Sequence, residues 1–305
     1  LAIARANNVN YLFEASVGGG IPIIRPLHSC LAANRIEEVI GILNGTTNFI
    51  LTKMFREGMS FESALALAQR LGYAERDPAA DVEGHDACRK ICILASLAFG
   101  EHVYPHDVSA EGITKITSED VAYAASCGCV IKLIGAARRG EGGKRMTAYV
   151  APAFINRETQ LGTIDDVFNG ILVRGDATGD VVFYGKGAGK LPTASAVVSD
   201  MIACAKADGS SASMSWKPSQ GGNVAPQGDH VTAMYLRCRA FETNALEEAV
   251  KIFGKVKALS RPDKPTNEAA FITPALTERE IDDVCGKLAA AGVDILGKIR
   301  VLADQ

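Results

Sequence analysis

Apolar and polar positions change period several times along the chain. Residues 10–17, NYLFEASV, alternate at the two-residue period of a strand, and the VGGGIPI that follows reads as a turn where backbone approaches another group closely. Residues 26–38 read as a loop running into a helix start, and the β-branched run VIGILNG, 39–45, stops at Gly45. Two helices are predicted over 46–57 and 60–71. The second starts at Ser60, carries Ala64, Leu65, Leu67 and Ala68 on its apolar side, and ends at Gly72. An irregular acidic stretch, YAERDPAADVEG, precedes a strong helix over 85–99, where Ala87, Ile91, Leu94, Ala95 and Ala98 recur at three-to-four spacing. A short helix over 119–126 leads into the strand CVIKLIGAARR, which forms a hairpin with MTAYVAPAFI across a glycine-rich turn. VFNGILVRG and GDVVFYG add further strands. A glycine turn then enters a helix, over 185–205. Residues 206–229, rich in Gly, Ser and Pro, read as a linker or mobile loop. From residue 232 the order is strand, helix, strand, strand, helix, strand, the ferredoxin-like pattern. The predicted class is α+β, a sheet with helices on one face.

Composition narrows the function classes. The 305 residues allow two or three domains, and 48% hydrophobic with 22% charged residues excludes general disorder or coiled coil. A net charge of −3, with both signs interspersed, offers no basic surface for nucleic acid. The longest apolar runs, such as ICILASLAF, are too short to span a bilayer, and no signal-peptide pattern is present. Of the eight cysteines, Cys127 and Cys129 are the one close pair, with no second pair or neighbouring histidine to complete a zinc site. Reduced thiols in a cytoplasmic protein are expected. The chain starts at Leu1, and LAIARANNV reads like the end of a helix, so its natural start is expected to lie upstream.

Three constellations can carry chemistry. GYAERDPAADVEGHDACRK, 72–90, concentrates Glu75, Asp77, Asp81, Glu83 and Asp86 ahead of Lys90. Asp86 and Lys90 are one helical turn apart and share a face bordering the apolar stripe, where a lysine can pass a proton. Taken alone, the block is equally a solvated ion pair under an acidic loop. Asp81, Glu83, His85 and Asp86 also leave a metal cluster open. FEASVGGGIPII, 13–24, bares main-chain groups that can hold a cation, or is a tight turn needing positive φ. GKGAGK, 185–190, begins like a dinucleotide-binding turn but has Lys190 at the last glycine, and it fails as a P-loop because Leu191 and Pro192 follow.

Taken together, FEASVGGGIPII, GILNGTTNFILTKM, FESALALAQRLGYAERDPAADVEGHDACRK and GKGAGKLPTASAVVSD, in this order and spacing, resemble the homoserine dehydrogenase family over residues 1 to about 205. The tail resembles the ACT domain that ends many such enzymes. The Pro-Gly common after its first strand is absent, and the chain reads FETNAL there. The resemblance implies reduction of aspartate 4-semialdehyde to homoserine with NADP or NAD cofactors, in the pathway to threonine and methionine. It implies Lys90 as proton donor, Asp86 as the residue that orients it, Gly72, Glu75 and Asp81 as substrate contacts, and Gly187 near the nicotinamide. The backbone oxygens of Glu14, Val17, Gly19 and Ile21 match positions that bind sodium in relatives.

The family also implies a Rossmann domain and a second functional lysine upstream, neither of which is in these residues. The expected organisation is therefore a nucleotide-binding-domain remnant at 1–22 and 181–206, a catalytic and dimerising substrate domain at 23–180, a linker at 207–230, and an ACT-like domain at 231–305. A homodimer, a threonine effector, and no nucleic-acid or membrane partner are expected. The competing reading is a non-catalytic amino-acid-sensing and dimerisation module.

Overall fold

The computed structural model describes residues 1–140, 142, 145–207 and 214–302. Its elements, in chain order, are α1 (Ala2–Ala6), β1 (Ile36–Ile42), α2 (Gly45–Glu57), α3 (Phe61–Arg70), α4 (Ala79–Val82), α5 (His85–Phe99), β2 (Ser109–Ala110), α6 (Ser118–Ser126), β3 (Cys129–Arg138), β4 (Thr147–Asn156), β5 (Phe168–Gly175) and β6 (Gly179–Lys186). They continue with α7 (Lys190–Lys206), β7 (Val231–Ala240), α8 (Ala245–Phe253), β8 (Lys257–Leu259), β9 (Glu268–Ile272), β10 (Leu276–Thr277), α9 (Glu278–Ala290) and β11 (Val293–Val301). The fold is mixed α/β around one large mixed sheet, ordered β6-β5-β1-β3-β4-β11-β7-β9-β8.

The helices begin where capping side chains satisfy their first N–H groups. The Asn44 side chain accepts from Thr47 N at the start of α2, and Ser60 accepts from Ser63 N at α3. Capping boxes open α6, through Thr117 and Asp120, and α9, through Thr277 and Glu280. One face of the central strands buries Val39, Ile131, Leu133 and Val173 in a common core with Phe49 and Ile50 of α2 and Ile91, Leu94 and Ala95 of α5. The opposite face carries Ile40, Ile42, Val130, Ile134 and Leu172, with Leu161 and Ile164 of the 157–167 loop in the same cluster. Burial on both faces explains why β3 reads as an almost unbroken apolar run.

Three segments differ from the expectation. Residues 10–17 form no strand; a 3₁₀ turn at Glu14–Ser16 takes its place. The cause is tertiary. The Glu14 carboxylate, 2% exposed, accepts from the backbone N–H groups of Ile23, Ile24 and Arg25, at 2.6, 2.7 and 2.9 Å, and bends the chain around itself. Residues 26–38 hold one π-helical turn, Pro26–Cys30, and then enter β1, so Glu38 stands in a strand. Residues 214–226, inside the stretch expected as a linker, lie against the rest of the molecule. Met214 and Val224 are buried, Trp216 stacks on His102, and bridges join Lys217 to Glu101 and Val224 to Met146. Residues 208–213 of that stretch lie outside the described residues.

Residues 231–301 run β7-α8-β8-β9-α9-β11, with the short β10 paired to β7, and their strands order as β11-β7-β9-β8, all antiparallel. The sheet does not stop there. Arg300 and Val301 of β11 pair in parallel with Ala153 and Phe154 of β4. Buried polar side chains reinforce the junction: Arg237 Nε donates to Asp120 of α6 at 2.9 Å, Tyr235 Oη donates to the same carboxylate at 3.0 Å, and Tyr123 Oη donates to Glu268 at 2.9 Å.

His230 lies at this junction, buried against the Tyr149 ring, with Glu278, Arg300 and Asp229 as its charged neighbours. Burial pushes its imidazole below the ordinary value near 6.5, partly offset by Glu278. The unfolded chain therefore binds the proton first, so stability is expected to fall as pH drops below about 6.5 towards the depressed folded value. Urea unfolding across that range should show this slope, and His230→Gln should flatten it.

Candidate active site

The site is built where β1 ends. Leu43 and Asn44 leave the strand, and Asn44 caps α2 with its side-chain Oδ1. That leaves its Nδ2 free to donate elsewhere, and it donates twice: to Asp81 at 2.7 Å and to Asp86 at 2.9 Å. Asp86 opens α5, and its Oδ2 also accepts from Lys90 Nζ at 2.7 Å, one turn further along the same helix. The ammonium makes a second bond, to the Leu43 carbonyl at 3.1 Å. Side-chain exposures of 19% for Lys90 and 30% for Asp86 place the pair at the rim of the core, neither sealed nor in bulk water. Lys90 thus has two fixed acceptors and one N–H left to point outward.

The loop after α3 is tied to the same corner. Gly72 adopts φ +76° as the helix ends, and the Tyr73 carbonyl accepts from Thr46 Oγ1 of α2 at 2.8 Å. Tyr73 also lies edge-on to Phe49. Glu75 follows, exposed, with Gln69 Nε2 donating to its carbonyl at 3.1 Å. Among the described residues its carboxylate joins no hydrogen bond or ion pair.

On the other side of the α2 N-terminus lies the glycine turn. Gly18 and Gly19 take φ of +73° and +53°, and a Cβ on Gly19 would overlap the Gly187 carbonyl, so the two turns meet backbone to backbone. Glu14 is held by Arg25, at 3.3 Å, and its N–H donates to Asp200 at 2.8 Å. The carbonyl oxygens of Glu14, Val17, Gly19 and Ile21 accept none of the hydrogen bonds formed among the described residues. Among those residues no group of three or more His, Cys, Asp or Glu side chains gathers as a metal site, so Asp81, Glu83, His85 and Asp86 do not converge as one.

The structure therefore joins Asp81, Asp86 and Lys90 through Asn44, sets the Gly72–Glu75 loop beside them, and stacks Gly19 on Gly187. Asn44, Thr46 and the Leu43 carbonyl were not evident as site groups in the sequence. The available signal was the Asn before GTTN, an N-cap residue type two positions ahead of the expected helix start at 46.

A family model described as homoserine dehydrogenase matches residues 22–202. The chain belongs to the homoserine dehydrogenase family. The homoserine dehydrogenase of Synechocystis is 52% identical over 201 residues, 65% of this chain and 46% of the relative. That of Neisseria gonorrhoeae is 38% identical over 303 residues, 94% of this chain and 69% of the relative. The crystal structure of a homoserine dehydrogenase from Thiobacillus denitrificans superposes with a TM-score of 0.89 at 37% identity, covering 99% of this chain and 72% of that one. A hyperthermophilic archaeal homoserine dehydrogenase mutant in complex with NADPH superposes with a TM-score of 0.57 at 30% identity, covering 67% of this chain and 58% of that one. The chain spans about half the length of curated family members such as that of Synechocystis.

Asn44 serves two purposes, and they separate experimentally. Asn44→Ala loses the cap and strands two carboxylates, so it should cost more than the roughly 1 kcal/mol of a lost cap. Asn44→Ser restores the cap without bridging Asp81 and Asp86, and urea denaturation should show it recovering only the cap's share.

Proposed function

We propose that this chain carries the substrate-binding and proton-transfer apparatus of a homoserine dehydrogenase, reducing L-aspartate 4-semialdehyde to L-homoserine. The observation that supports this most strongly is the Lys90 ammonium, held between Asp86 and the Leu43 carbonyl with one N–H free. Reduction of an aldehyde needs a proton on oxygen as a hydride arrives at carbon. Lys90 polarises that oxygen and donates the proton, while Asp86 keeps the ammonium oriented. Asn44 fixes Asp86 and Asp81 in turn, and the unpaired Glu75 carboxylate is available to the substrate ammonium, with Gly72 beside it. NADPH or NADH, when bound, supplies the hydride. The buried backbone contact between Gly19 and Gly187 holds the 185–189 turn, whose exposed residues Ala188 and Gly189 are available to the nicotinamide end.

The four unclaimed carbonyls of Glu14, Val17, Gly19 and Ile21 have the donor chemistry for a sodium ion beside that turn. Residues 1–22 and 181–206 form the nucleotide-domain side in this reading, and Ile3, Leu191 and Met201 leave exposed apolar surface there. A homodimer and a place in threonine and methionine synthesis rest on the family likeness. No helix among the described residues is long and apolar enough to cross a membrane. The eight free thiols fit a reducing cytoplasm.

A sensing role for the ACT-like tail has its own support. A cavity of about 600 Å³ opens between the loop after β7 and the 264–270 segment, with Thr243, Asn244, Lys264 and Asn267 in its wall. It is the candidate seat of a threonine effector.

Lys90→Ala should lower turnover of aspartate 4-semialdehyde by roughly 10²- to 10⁴-fold with little change in cofactor affinity. Glu75→Gln should chiefly raise KM for the semialdehyde. Wild-type turnover from Lys90→Ala would remove the assigned proton donor. Calorimetric binding of threonine without any semialdehyde reduction would favour the sensing module instead.

A further inference from the structure

Among the described residues, the side chain of Asn169 is buried with all of its polar atoms unpaired. It stands on β5 opposite Gly185 of β6, is 1% exposed, and neither its Oδ1 nor its Nδ2 has a hydrogen-bond partner. Leaving both ends of a buried amide unpaired forfeits its hydration with nothing in exchange, and most buried polar side chains in folded proteins are paired.

Its surroundings are backbone. Gly187 lies flat on the amide, so that a Cβ there would overlap Nδ2, Cγ and Oδ1 alike. Gly45, the first residue of α2, faces Oδ1, with an added Cβ falling 3.5 Å away. The amide thus stands between the 185–189 turn and the helix end that carries Asn44, two residues from the Leu43 carbonyl that holds Lys90. Both flanking segments carry unpaired backbone groups, the Gly187 carbonyl lying against Gly19 in this structure. The N–H groups of Gly45 and Thr46, in the unpaired first turn of α2, donate to no acceptor among the described residues. The Gly187 carbonyl likewise accepts from no donor among them.

We propose that Asn169 is a positioning residue for the cofactor turn: when the nicotinamide end of the cofactor seats on residues 185–189, the Gly187 peptide turns from Gly19 towards the amide, which then bonds both segments. Nδ2 then donates to the Gly187 carbonyl and Oδ1 accepts from the first turn of α2. The unpaired amide of the free protein disfavours the unloaded arrangement of the turn, and the reorientation relieves it, so the turn and the Lys90 corner are brought into register by one side chain. This rests on the dehydrogenase reading above.

The test uses this chain labelled with ¹⁵N-asparagine and titrated with reduced nicotinamide mononucleotide in the presence of homoserine. The side-chain NH₂ signals of Asn169, assigned by their loss in Asn169→Leu, should move on addition of the mononucleotide. Asn169→Leu, of similar shape without the polar atoms, should melt no lower than wild type and bind homoserine within about two-fold, yet bind the mononucleotide roughly ten-fold or more weakly. An amide with only a structural role would instead lower Tm and weaken both ligands together, which overturns the proposal. So would unmoved Asn169 signals in a wild type that binds the mononucleotide, a result that needs no variant and leaves the dehydrogenase reading standing. A wild type that binds neither ligand overturns that reading, and the proposal with it.

Discussion

A single amide, that of Asn44, holds three elements in one arrangement. It caps α2, bridges the carboxylates of Asp81 and Asp86, and through Asp86 sets where the Lys90 ammonium points. Two carboxylates sharing one donor would otherwise repel, and a lysine beside them would sample many rotamers. An ion pair at the rim of the core, in reach of solvent, contributes only about 0–1 kcal/mol to stability. Its value lies in orientation: Asp86 and the Leu43 carbonyl occupy two of the three N–H groups, so the third is aimed by the protein and not by solvent. Preorganised donors of this kind are what proton transfer to a developing alkoxide requires.

The rest of the fold holds that corner still. β1 delivers Leu43 and Asn44, α5 delivers Asp86 and Lys90, and both pack on the same strands. The C-terminal unit is joined to this core through the β4–β11 pairing and through Asp120 of α6, whose carboxylate takes both Arg237 and Tyr235. Removing one partner from such a buried pair is costly because it leaves a charge uncompensated. The two parts of the chain therefore share one sheet and a set of buried polar bonds. Glu268, in the wall of the cavity beside the loop after β7, accepts from the Tyr123 hydroxyl of α6.

Much of the fold was legible from periodicity alone. The helix over 85–99 declared itself through its apolar stripe, and β3 and β4 through their β-branched runs, because for these segments local pattern and tertiary burial agree. Where they disagree, the pattern misled. Residues 10–17 alternate like a strand, but Glu14 is drawn into the interior by three backbone N–H groups beyond the glycine turn, and the backbone turns around it. Residues 214–226 have the composition of a mobile linker, yet Met214, Trp216 and Val224 anchor them. In the site, the spacing of Asp86 and Lys90 announced their contact, whereas Asn44 meets Asp81 and Asp86 across 37 and 42 positions, and Asn169 faces Gly45 from the far side of the domain sequence. No local signal carries such a separation.

The central claim is that Asp86 and Lys90 act on the substrate oxygen as one unit. A double-mutant cycle on homoserine binding, with Asp86→Asn, Lys90→Ala and the double variant measured by calorimetry, tests it most directly. The double variant is predicted to bind no worse than Lys90→Ala alone, giving a coupling energy of about 0.5–3 kcal/mol. Losses that simply add would contradict the account, because Asp86 would then be acting on the substrate by some route other than the ammonium.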